Sequence, residues 1–260
     1  MSFEQTQAYD DQLVTLLEAL WGKGYLSPGG DDETAMVLAG LDLTGKRIID
    51  IGCGTGGATL FIAERCGAQI VGVDVEAGVI EKATRAATDR GLGDRARFQT
   101  LQPGPLPFTD AAFDVVFSKD AVIHIEDKAG WAAEVHRVLK PGGVLAMSDW
   151  MRADDGPMSE LLRRYIEAEG LGFGAASPDR YFTALRTAGF VEVHYRNRTA
   201  WYRDRTKEEV AALDGPLRAE LTLKVGHDFL EHELEVWRLL AAVLESGEFG
   251  PGHWRALKPA

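Results

Sequence analysis

The chain alternates short apolar runs with longer amphipathic stretches from about residue 46 to residue 150. The runs IIDI, IVGV, FDVVF and VLAM are each followed by glycine or a polar residue, which is typical of buried strands. Stretches between them, such as AGVIEKATRAATDRG, repeat apolar residues at helical spacing. Because strands separated by helices pair in parallel through right-handed crossovers, the pattern predicts an α/β fold with a doubly wound sheet.

The flanking regions predict helices and further strands. A helix is expected from about Ser2 to Leu20, then a loop in GYLSPGG and a second helix from Asp31 to Ala39. RARFQT predicts a short third strand, and VLAMSDWM is the fifth. Beyond it we expect a helix in PDRYFTALRTAGF, a strand in VEVHYRNRTAWY, two helices between Lys207 and Ser246, and a last strand in HWRALKP. The sequence has no internal repeat and no linker, so one domain of seven strands is predicted.

Composition narrows the classes of partner. The 260 residues can bury one substantial core, and the net charge of −12 opposes binding to nucleic acid or an anionic membrane surface. The two cysteines, Cys53 and Cys66, suggest no disulfide framework, and no CxxC or HxxxH spacing predicts a metal site. No apolar run approaches the roughly 20 residues that cross a bilayer, and MSFEQTQAYDDQ is not a signal-peptide pattern. We therefore expect a cytoplasmic protein without metal; the oligomeric state is left open.

The first chemical signal is the glycine turn in IIDIGCGTGG. Glycines allow a tight turn and a close approach of the backbone to a ligand at a helix N-terminus, although such a turn can also be purely structural. Gly52, Gly54 and Gly57 satisfy the pattern GxGxxG, so a nicotinamide dehydrogenase is an alternative. Asp50 disfavours it, because its carboxylate would repel a pyrophosphate but could accept from an ammonium group. Asp74, at the end of the second strand, suits ribose hydroxyls in either class.

Four motifs, IIDIGCGTGG, VGVDVE, FDVVFSKD and VLKPGGVLAMSDW, resemble in order and spacing those of class I S-adenosylmethionine-dependent methyltransferases. The resemblance implies S-adenosyl-L-methionine as cofactor. It also implies a Rossmann-like, doubly wound, mostly parallel seven-stranded sheet with an antiparallel edge strand, an N-terminal helical lid and a helical insertion near the C-terminus. Residues 1–45 would form the helical cap, 46–150 the cofactor-binding core, and 151–260 the substrate lid and C-terminal strands of this single domain.

Carried over by position, the resemblance assigns cofactor contacts. Asp50, Gly52 and Gly54 would hold the methionine part. Asp74 would bind the ribose, and Val75 would pack on the adenine.

A narrower resemblance covers nearly the whole chain. WGKGYLSPGG, SKDAVIHIED and SDWM are similar to segments of phosphoethanolamine N-methyltransferases and sarcosine/dimethylglycine N-methyltransferases. It implies that Tyr25 and Ser27 contact the cofactor and that Lys119 stands where relatives commonly have Arg or Gln. Relatives of the wider family often bind the adenine amino group with an acid after the third strand. This chain has Gln102 there, whose amide oxygen can accept the same hydrogen bond.

Both narrower groups methylate the nitrogen of a small polar amine, and the resemblance implies that Tyr9 works with His124, with Asp120 nearby. A free amine is mostly protonated at neutral pH, since its pKa is about 10 by analogy with lysine. His124 changes charge in the right range to remove that proton. Asp120 could orient the histidine or attract the ammonium, and Tyr9 could close over the site. The alternatives are a surface or capping role for His124 and simple packing for Tyr9.

The acceptor is less defined than the cofactor. Phosphoethanolamine enzymes clamp phosphate with Tyr, Arg and Lys side chains. This chain has Trp150 at the position of the first Tyr, and the later Arg and Tyr fall near Glu169 and Leu171. Arg152, Arg180 and Tyr181 are candidate anion ligands; the alternative for each is a solvated or packing side chain.

Aromatic side chains offer another mode of recognition. Trp150, Phe173 and Trp201 could face an ammonium through cation–π contacts, although core packing is the commoner fate of such residues. The sequence predicts a methyltransferase for the nitrogen of a small, phosphoethanolamine-like amine. The alternatives are an enzyme for a carboxylate-bearing amine such as sarcosine or dimethylglycine, and a non-catalytic cofactor-binding protein.

Overall fold

The computed structural model describes residues 9–102, 104–170 and 172–260. Its strands are β1 Arg47–Ile51, β2 Gln69–Asp74, β3 Ala96–Thr100, β4 Phe113–Lys119, β5 Leu139–Arg152, β6 Val191–Asn197 and β7 Phe249–Leu257. Its helices are α1 Asp11–Trp21, α2 Gly30–Val37, α3 Gly57–Arg65, α4 Ala77–Asp89, α5 Lys128–Val138, α6 Glu160–Glu169, α7 Pro178–Thr187, α8 Thr199–Leu213, α9 Arg218–Val225 and α10 His227–Ser246. A 3-10 helix, Val122–His124, follows β4.

The strands form one sheet in the order β3-β2-β1-β4-β5-β7-β6. The strands from β3 to β5 pair in parallel, so that Asp50 of β1 lies between Gly72 of β2 and Phe117 of β4. β7 runs antiparallel to both β5 and the outer strand β6. The predicted fold, mostly parallel and doubly wound with antiparallel pairing at one edge, is confirmed. The strand order reverses between β1 and β4, and a crevice for ligands is expected outside the carboxyl ends of strands at such a point.

Helices bury both faces of the sheet because successive side chains of a strand point to opposite sides. Ile49 packs in a cluster with Trp131 of α5, whereas the adjacent Ile48 packs in a cluster with Leu60 of α3. A third cluster joins α1, α6, α8, α9 and α10 and includes Ile123 and Trp150, next to the carboxyl ends of β4 and β5. This helical layer therefore covers the edge of the sheet where a ligand is expected.

The first helix begins later than the sequence pattern predicts. The predicted start at Ser2 lies outside the described residues, and within them Tyr9 and Asp10 precede the helix. The Asp10 side chain accepts a hydrogen bond of 2.8 Å from the Leu13 N–H, and this cap starts α1 at Asp11. Over the described ranges, no helix combines the length and the apolar content that crossing a bilayer requires.

The C-terminal part differs more from prediction. The strand expected to continue through Tyr202 is wrong in its second half: β6 ends at Asn197, whose side chain accepts a hydrogen bond of 2.8 Å from the Thr199 N–H at the start of α8. Between Lys207 and Ser246 the structure has three helices rather than two, because Gly226, at φ 88°, separates α9 from α10. These helices and α6 supply most of the layer above the sheet.

Candidate active site

The glycine turn after β1 brings the backbone close to the segment after β4. Gly52 has φ 74°, and a Cβ atom there would lie 2.1 Å from Cβ of Ala121. The N–H groups of Gly52 and Cys53 both donate to the carbonyl of Val73, at 2.8 and 3.0 Å. Only glycine fits this conformation and spacing at position 52 without strain. The turn therefore joins the ends of β1, β2 and β4.

Asp50 presents an unused acceptor beside this turn. Its carboxylate is 1% exposed, and Oδ2 accepts a hydrogen bond of 2.5 Å from the hydroxyl of Thr59. Oδ1 is buried and has no partner among the described residues. Burial, and then the nearby charge of Asp74, raise the pKa of Asp50 to about 7. A buried acceptor without a partner is costly, so this oxygen is suited to a donor supplied by a ligand.

Asp74 ends β2 and faces the same turn. Its Oδ2 accepts from the Gly54 N–H at 2.9 Å, and its Oδ1 accepts from the Glu76 N–H at 3.1 Å. Each carboxylate oxygen retains a further lone pair. The next residue, Val75, is 57% exposed although it is apolar. Gln102 is exposed two residues after β3.

The loop between α1 and α2 closes over the glycine turn. The Gly24 carbonyl accepts from the Gly57 N–H at 2.8 Å. Lys119 Nζ, buried at the end of β4, donates to Ser27 Oγ at 2.6 Å and to the Pro28 carbonyl at 2.7 Å. The ring of Tyr25 is buried and its hydroxyl donates to Asp31 at 2.6 Å. Lys119 thus fastens the loop to the sheet.

These residues fit the cofactor that the sequence motifs imply. Oδ1 of Asp50 can accept from an ammonium group, and the spare lone pairs of Asp74 can accept from ribose hydroxyls. Val75 offers exposed apolar surface of the kind on which adenine packs. A pyrophosphate would instead meet the two carboxylates, which disfavours a dinucleotide.

A cavity of about 80 Å³ lies beside the turn, beneath the helical layer. Its lining is rich in aromatic side chains and includes acidic ones. It is lined by Tyr9, Leu13, Leu17, Trp21, Leu26, Ser27, Pro28, Asp120, Ile123, His124, Trp150, Tyr165, Glu169, Phe173, Tyr202, Trp237, Leu240 and Phe249. This lining, taken from the described part of the chain, includes two carboxylates and neither lysine nor arginine.

His124 has a fixed tautomer. It ends the 3-10 helix after β4, and its Nδ1 lies 3.0 Å from the carbonyl oxygen of Gly172. Because a carbonyl only accepts, Nδ1 carries the hydrogen and Nε2 of the neutral ring is free to accept a proton. Although part of the residue is open to solvent, desolvation of the ring lowers its pKa below 6.5. His124 is therefore neutral, and competent as a base, at neutral pH.

Asp120 is held in an uncommon backbone conformation, with φ 57°. Its Oδ1 accepts from Ser148 Oγ at 2.9 Å and its Oδ2 from Lys119 Nζ at 3.3 Å. Its N–H donates to the Ser148 carbonyl at 2.9 Å. These contacts fix a carboxylate at the wall of the cavity, 6% exposed, where it can attract a cation.

Tyr9 reaches the cavity from a bend before α1. Its backbone N–H lies 3.4 Å from Oε2 of Glu76, near the end of β2. Desolvation, followed by the charge of Glu169, raises the pKa of its hydroxyl above 10, so Tyr9 remains a neutral hydrogen-bond donor. The structure thus brings Tyr9, Asp120 and His124 together around one cavity.

A buried framework supports the turn that carries His124. Lys128 Nζ donates to the carbonyls of Val122 at 2.8 Å and Gly174 at 2.9 Å. The Ile123 N–H donates to Oδ1 of Asp149 at 3.0 Å. Burial lowers the pKa of Lys128 and raises that of Asp149 from their ordinary values. The framework joins the 3-10 helix to the segment whose Gly172 carbonyl orients the imidazole.

Of the candidate substrate ligands Trp150, Arg152 and Tyr181, Trp150 alone lines the cavity. Its ring stacks on Phe249 with centroids 5.1 Å apart. The Tyr181 hydroxyl instead donates to Asp149, and its ring packs on Trp254 under the sheet. Arg152 donates to the Gly156 carbonyl and does not line the cavity. The structure therefore does not bring Arg152 or Tyr181 to this site.

Sequence reasoning missed the carboxylate that organises the aromatic wall. Glu209 of α8 accepts hydrogen bonds from Trp21 Nε1 at 2.8 Å, Trp237 Nε1 at 3.1 Å and the Tyr202 hydroxyl at 3.0 Å. All three donors line the cavity. In the sequence, Glu209 looks no different from its exposed neighbour Glu208, so no local signal could have found it.

Two further observations concern metal and cysteine chemistry. Within the described ranges, no group of three or more His, Cys, Asp or Glu side chains could hold a metal ion. Cys53 and Cys66 are both free.

Leu171, which the sequence comparison aligned near the Tyr of the phosphate clamp, lies outside the described residues.

Comparison with known proteins identifies methyltransferases as relatives of this chain. A family model described as "Methyltransferase domain" matches residues 49–147. Phosphoethanolamine N-methyltransferase 3 of Arabidopsis thaliana is 30% identical over 207 residues, which cover 79% of this chain and 41% of the relative. The chain thus spans about two fifths of the length of the plant relatives that it matches. The 27-O-demethylrifamycin SV methyltransferase of Amycolatopsis mediterranei is 32% identical over 192 residues, 69% of this chain and 71% of that protein.

Solved structures share the fold. Haemonchus contortus phosphoethanolamine N-methyltransferase 2, in complex with phosphomonomethylethanolamine and S-adenosylhomocysteine, has a TM-score of 0.90 at 23% identity, covering 98% of this chain and 59% of that one. A Galdieria sulphuraria protein assigned as a sarcosine dimethylglycine methyltransferase has a TM-score of 0.74 at 22% identity, covering 88% and 85%.

Proposed function

Because this chain belongs to the S-adenosylmethionine-dependent methyltransferases, we propose that it transfers a methyl group to the nitrogen of a small amine that enters the site as a cation. The observation that carries the proposal is the composition of the cavity. Aromatic rings and the carboxylates of Asp120 and Glu169 line it, and its described lining contains neither lysine nor arginine. Such a surface attracts an ammonium group through charge and cation–π contacts.

The cofactor side of the proposal rests on the ends of β1 and β2. When bound, S-adenosyl-L-methionine supplies an electrophilic methyl group. Asp50 would accept hydrogen bonds from its ammonium group, and Gly52 and Gly54 would allow the backbone to approach it. Asp74 would accept from its ribose hydroxyls, and Val75 would pack against its adenine.

The amine must lose a proton before its nitrogen can act as a nucleophile. Its pKa is about 10 in water, so the ammonium form enters the cavity. Nε2 of His124 accepts that proton, because Nδ1 is already committed to the Gly172 carbonyl. The lone pair freed on nitrogen would then be available to the methyl group that the cofactor supplies, and the bond between methyl carbon and sulfur would break as the bond to nitrogen forms, its electron pair remaining on sulfur. The lowered pKa of His124 keeps this base ready at neutral pH.

Asp120 and Tyr9 would prepare the amine for this step. The Asp120 carboxylate, fixed by Ser148 and Lys119, attracts the ammonium form and holds it beside His124. Tyr9, neutral because of its raised pKa, can donate its hydroxyl hydrogen or face the ammonium with its ring.

The lining of the cavity supports an amine without an anionic group. A phosphate or carboxylate would be desolvated next to Asp120 and Glu169, without a lysine or arginine among the described lining residues to neutralise it. Lys119 does not line the cavity and is engaged with Ser27, Pro28 and one oxygen of Asp120. Phosphoethanolamine, sarcosine and dimethylglycine are therefore the comparison substrates rather than the preferred ones.

The test is a screen with S-adenosylmethionine labelled in its methyl group. Purified protein is incubated with simple amines, with phosphoethanolamine, sarcosine and dimethylglycine, and with sterol and hydroxyl acceptors. Relatives named as sterol and 27-O-demethylrifamycin methyltransferases make the last two groups necessary. We expect label on nitrogen, with amines that carry no anionic group preferred. Label only on carbon or oxygen acceptors would overturn the proposal.

A further inference from the structure

Two acidic residues, Glu169 and Glu233, lie near one another on the side of the cavity formed by α6 and α10. Glu169, the last residue of α6, lines the cavity directly. Glu233 lies on α10, four residues before Trp237 and seven before Leu240, which both line the cavity. That spacing puts Glu233 on the same face of α10 as these two residues. Its side chain is 8% exposed although it is charged in its ordinary state.

Among the described residues, no lysine, arginine or histidine interacts with either of the two acids. The nearby hydroxyl of Tyr165 favours the charged form of Glu169, whereas no described side chain does the same for Glu233. Burial, with that one opposing contact, raises the pKa of Glu169 to about 7. Burial, and then the charges of Glu169 and Asp10, raise the pKa of Glu233 to about 8. The groups that interact with the pair are acids and tyrosines, among them Tyr9.

Such a pair is costly unless a cation or a proton neutralises it. Buried charges are stable when they are paired and hydrogen-bonded, and Glu233 has neither kind of partner among the described residues. Aromatic rings adjoin the pair: the ring of Tyr165 lies 6.2 Å from that of Phe173 and 6.0 Å from that of Phe249, measured between centroids. Acids surrounded by aromatic faces suit an organic ammonium group better than a hydrated metal ion.

We propose that Glu169 and Glu233 bind a second cationic group of the acceptor, so that the preferred substrates are diamines. This rests on the proposed function, in which the reacting nitrogen lies between Asp120 and His124. One end of the diamine loses its proton to His124 and reacts. The other end stays an ammonium group between the two glutamates. The acid pair then determines specificity without touching the reacting atoms.

The experiment compares three acceptors of equal length that differ in the distal group. For four carbons these are 1,4-diaminobutane, n-butylamine and 4-aminobutyrate, and the same trio is made with three and five carbons. Binding to the full-length protein is measured by calorimetry, and kcat and KM by methyl transfer. At one of the three lengths, the diamine should bind about tenfold or more tighter than the monoamine, and the amino acid weakest.

Substitutions of the two glutamates test whether these residues cause the preference for the diamine. Glu233→Gln should raise KM for the diamine by about tenfold while leaving KM for the monoamine nearly unchanged. Glu169→Gln, at a residue that lines the cavity, should raise KM for both amines, and more for the diamine than for the monoamine. Glu167→Gln, the same change at an exposed position of α6, is the matched control and should leave both unchanged. If a variant fails to fold, the three-acceptor comparison on the parent protein still decides the question.

The outcomes separate the two proposals. Methyl transfer to amines with no preference for the diamine, or with a preference that both glutamine variants retain, overturns the diamine inference alone. Methyl transfer to none of the amines overturns the proposed function, and this inference with it.

Discussion

The imidazole of His124 is oriented by a backbone carbonyl: its Nδ1 lies 3.0 Å from the oxygen of Gly172. The contact leaves Nε2 as the basic atom and makes the residue's role testable. His124→Ala should lower kcat by about 10²–10⁴, the range for a positioned base, and should change cofactor affinity little. His194→Ala, at an exposed position of β6, is the control. Normal turnover with a lower melting temperature would instead indicate a structural histidine.

The pH dependence follows from the direction of the His124 pKa. Desolvation lowers this pKa below the ordinary 6.5, so the neutral base persists below that pH. The acidic limb of kcat/KM should therefore fall below pH 6.5, and His124→Ala should remove it. A profile of rate against pH for both proteins is the measurement. A limb above pH 6.5 that survives in the variant would assign the titration to another group, such as the substrate amine.

Asp74 should matter to the cofactor and not to the acceptor. Asp74→Ala removes an acceptor for ribose hydroxyls, and we expect a loss of about 1–3 kcal/mol in the binding free energy of S-adenosylmethionine. Asp94→Ala, at an exposed position before β3, should have no effect. Calorimetric titration measures both, and NAD titrated in parallel should give no binding. Saturable binding of NAD would contradict this assignment of the glycine turn.

Glu209 should control acceptor affinity without touching the acceptor. Glu209→Gln places an NH₂ group among three donors, so at least one of the hydrogen bonds to Trp21, Trp237 and Tyr202 is lost. We expect KM for the acceptor to rise, cofactor affinity to stay constant, and tryptophan fluorescence to shift. Glu208→Gln is the exposed neighbour and control. A fall in melting temperature with no change in KM or fluorescence would mean that Glu209 supports only the fold.

Glu33 should set the acid stability of the protein. Its Oε1 lies 2.6 Å from Nε2 of His253, and it forms two hydrogen bonds with Arg198, at 3.0 and 2.7 Å. Although burial opposes it, these contacts lower the pKa of Glu33 from 4.5 to about 2. The stabilisation is therefore complete above pH 4.5 and is lost as the pH falls towards 2.

The Glu33→Gln variant tests this contribution to stability at neutral pH and at acidic pH. At neutral pH the free energy of unfolding should fall by about 3–5 kcal/mol, since Arg198 loses its buried partner. Below pH 4.5 the difference from the parent should shrink as Glu33 itself becomes protonated. Urea titrations at several pH values measure it, with the exposed Asp32→Asn as control. A difference that does not vary with pH would rule out the linkage to Glu33.

The positions of the residues proposed to bind the cofactor could be predicted because their sequence signals are local. The glycines of IIDIGCGTGG, Asp50 and Asp74 lie on one strand–turn–helix unit and the next strand, and their spacing alone places them at the carboxyl edge of the sheet. His124 and Asp120 follow β4 directly, so their place in the same crevice could also be predicted. The fold class followed from the same alternation of strands and helices.

The acceptor half was not predictable because it depends on how distant helices pack. Tyr202 was assigned to a strand, yet it lies on α8 and faces the cavity. Tyr181 has a side chain of a type that often binds ligands, but α7 places it against the sheet, where its hydroxyl donates to Asp149. Glu169 and Glu209 resemble solvated helix residues in the sequence. Which face of a helix is buried against which layer is a property of the whole chain.

The carboxylate of Glu209 accepts hydrogen bonds from two indoles that are distant in the sequence. Trp21 lies 188 residues before Glu209, and Trp237 lies 28 residues after it. During synthesis, the glycine turn and Asp74 leave the ribosome well before α10 does. A growing chain can therefore assemble its cofactor crevice before its acceptor cavity exists. The cavity is completed last, when α10 docks and Glu209 receives its third donor, so an unfinished chain lacks part of the aromatic lining that Trp237 supplies.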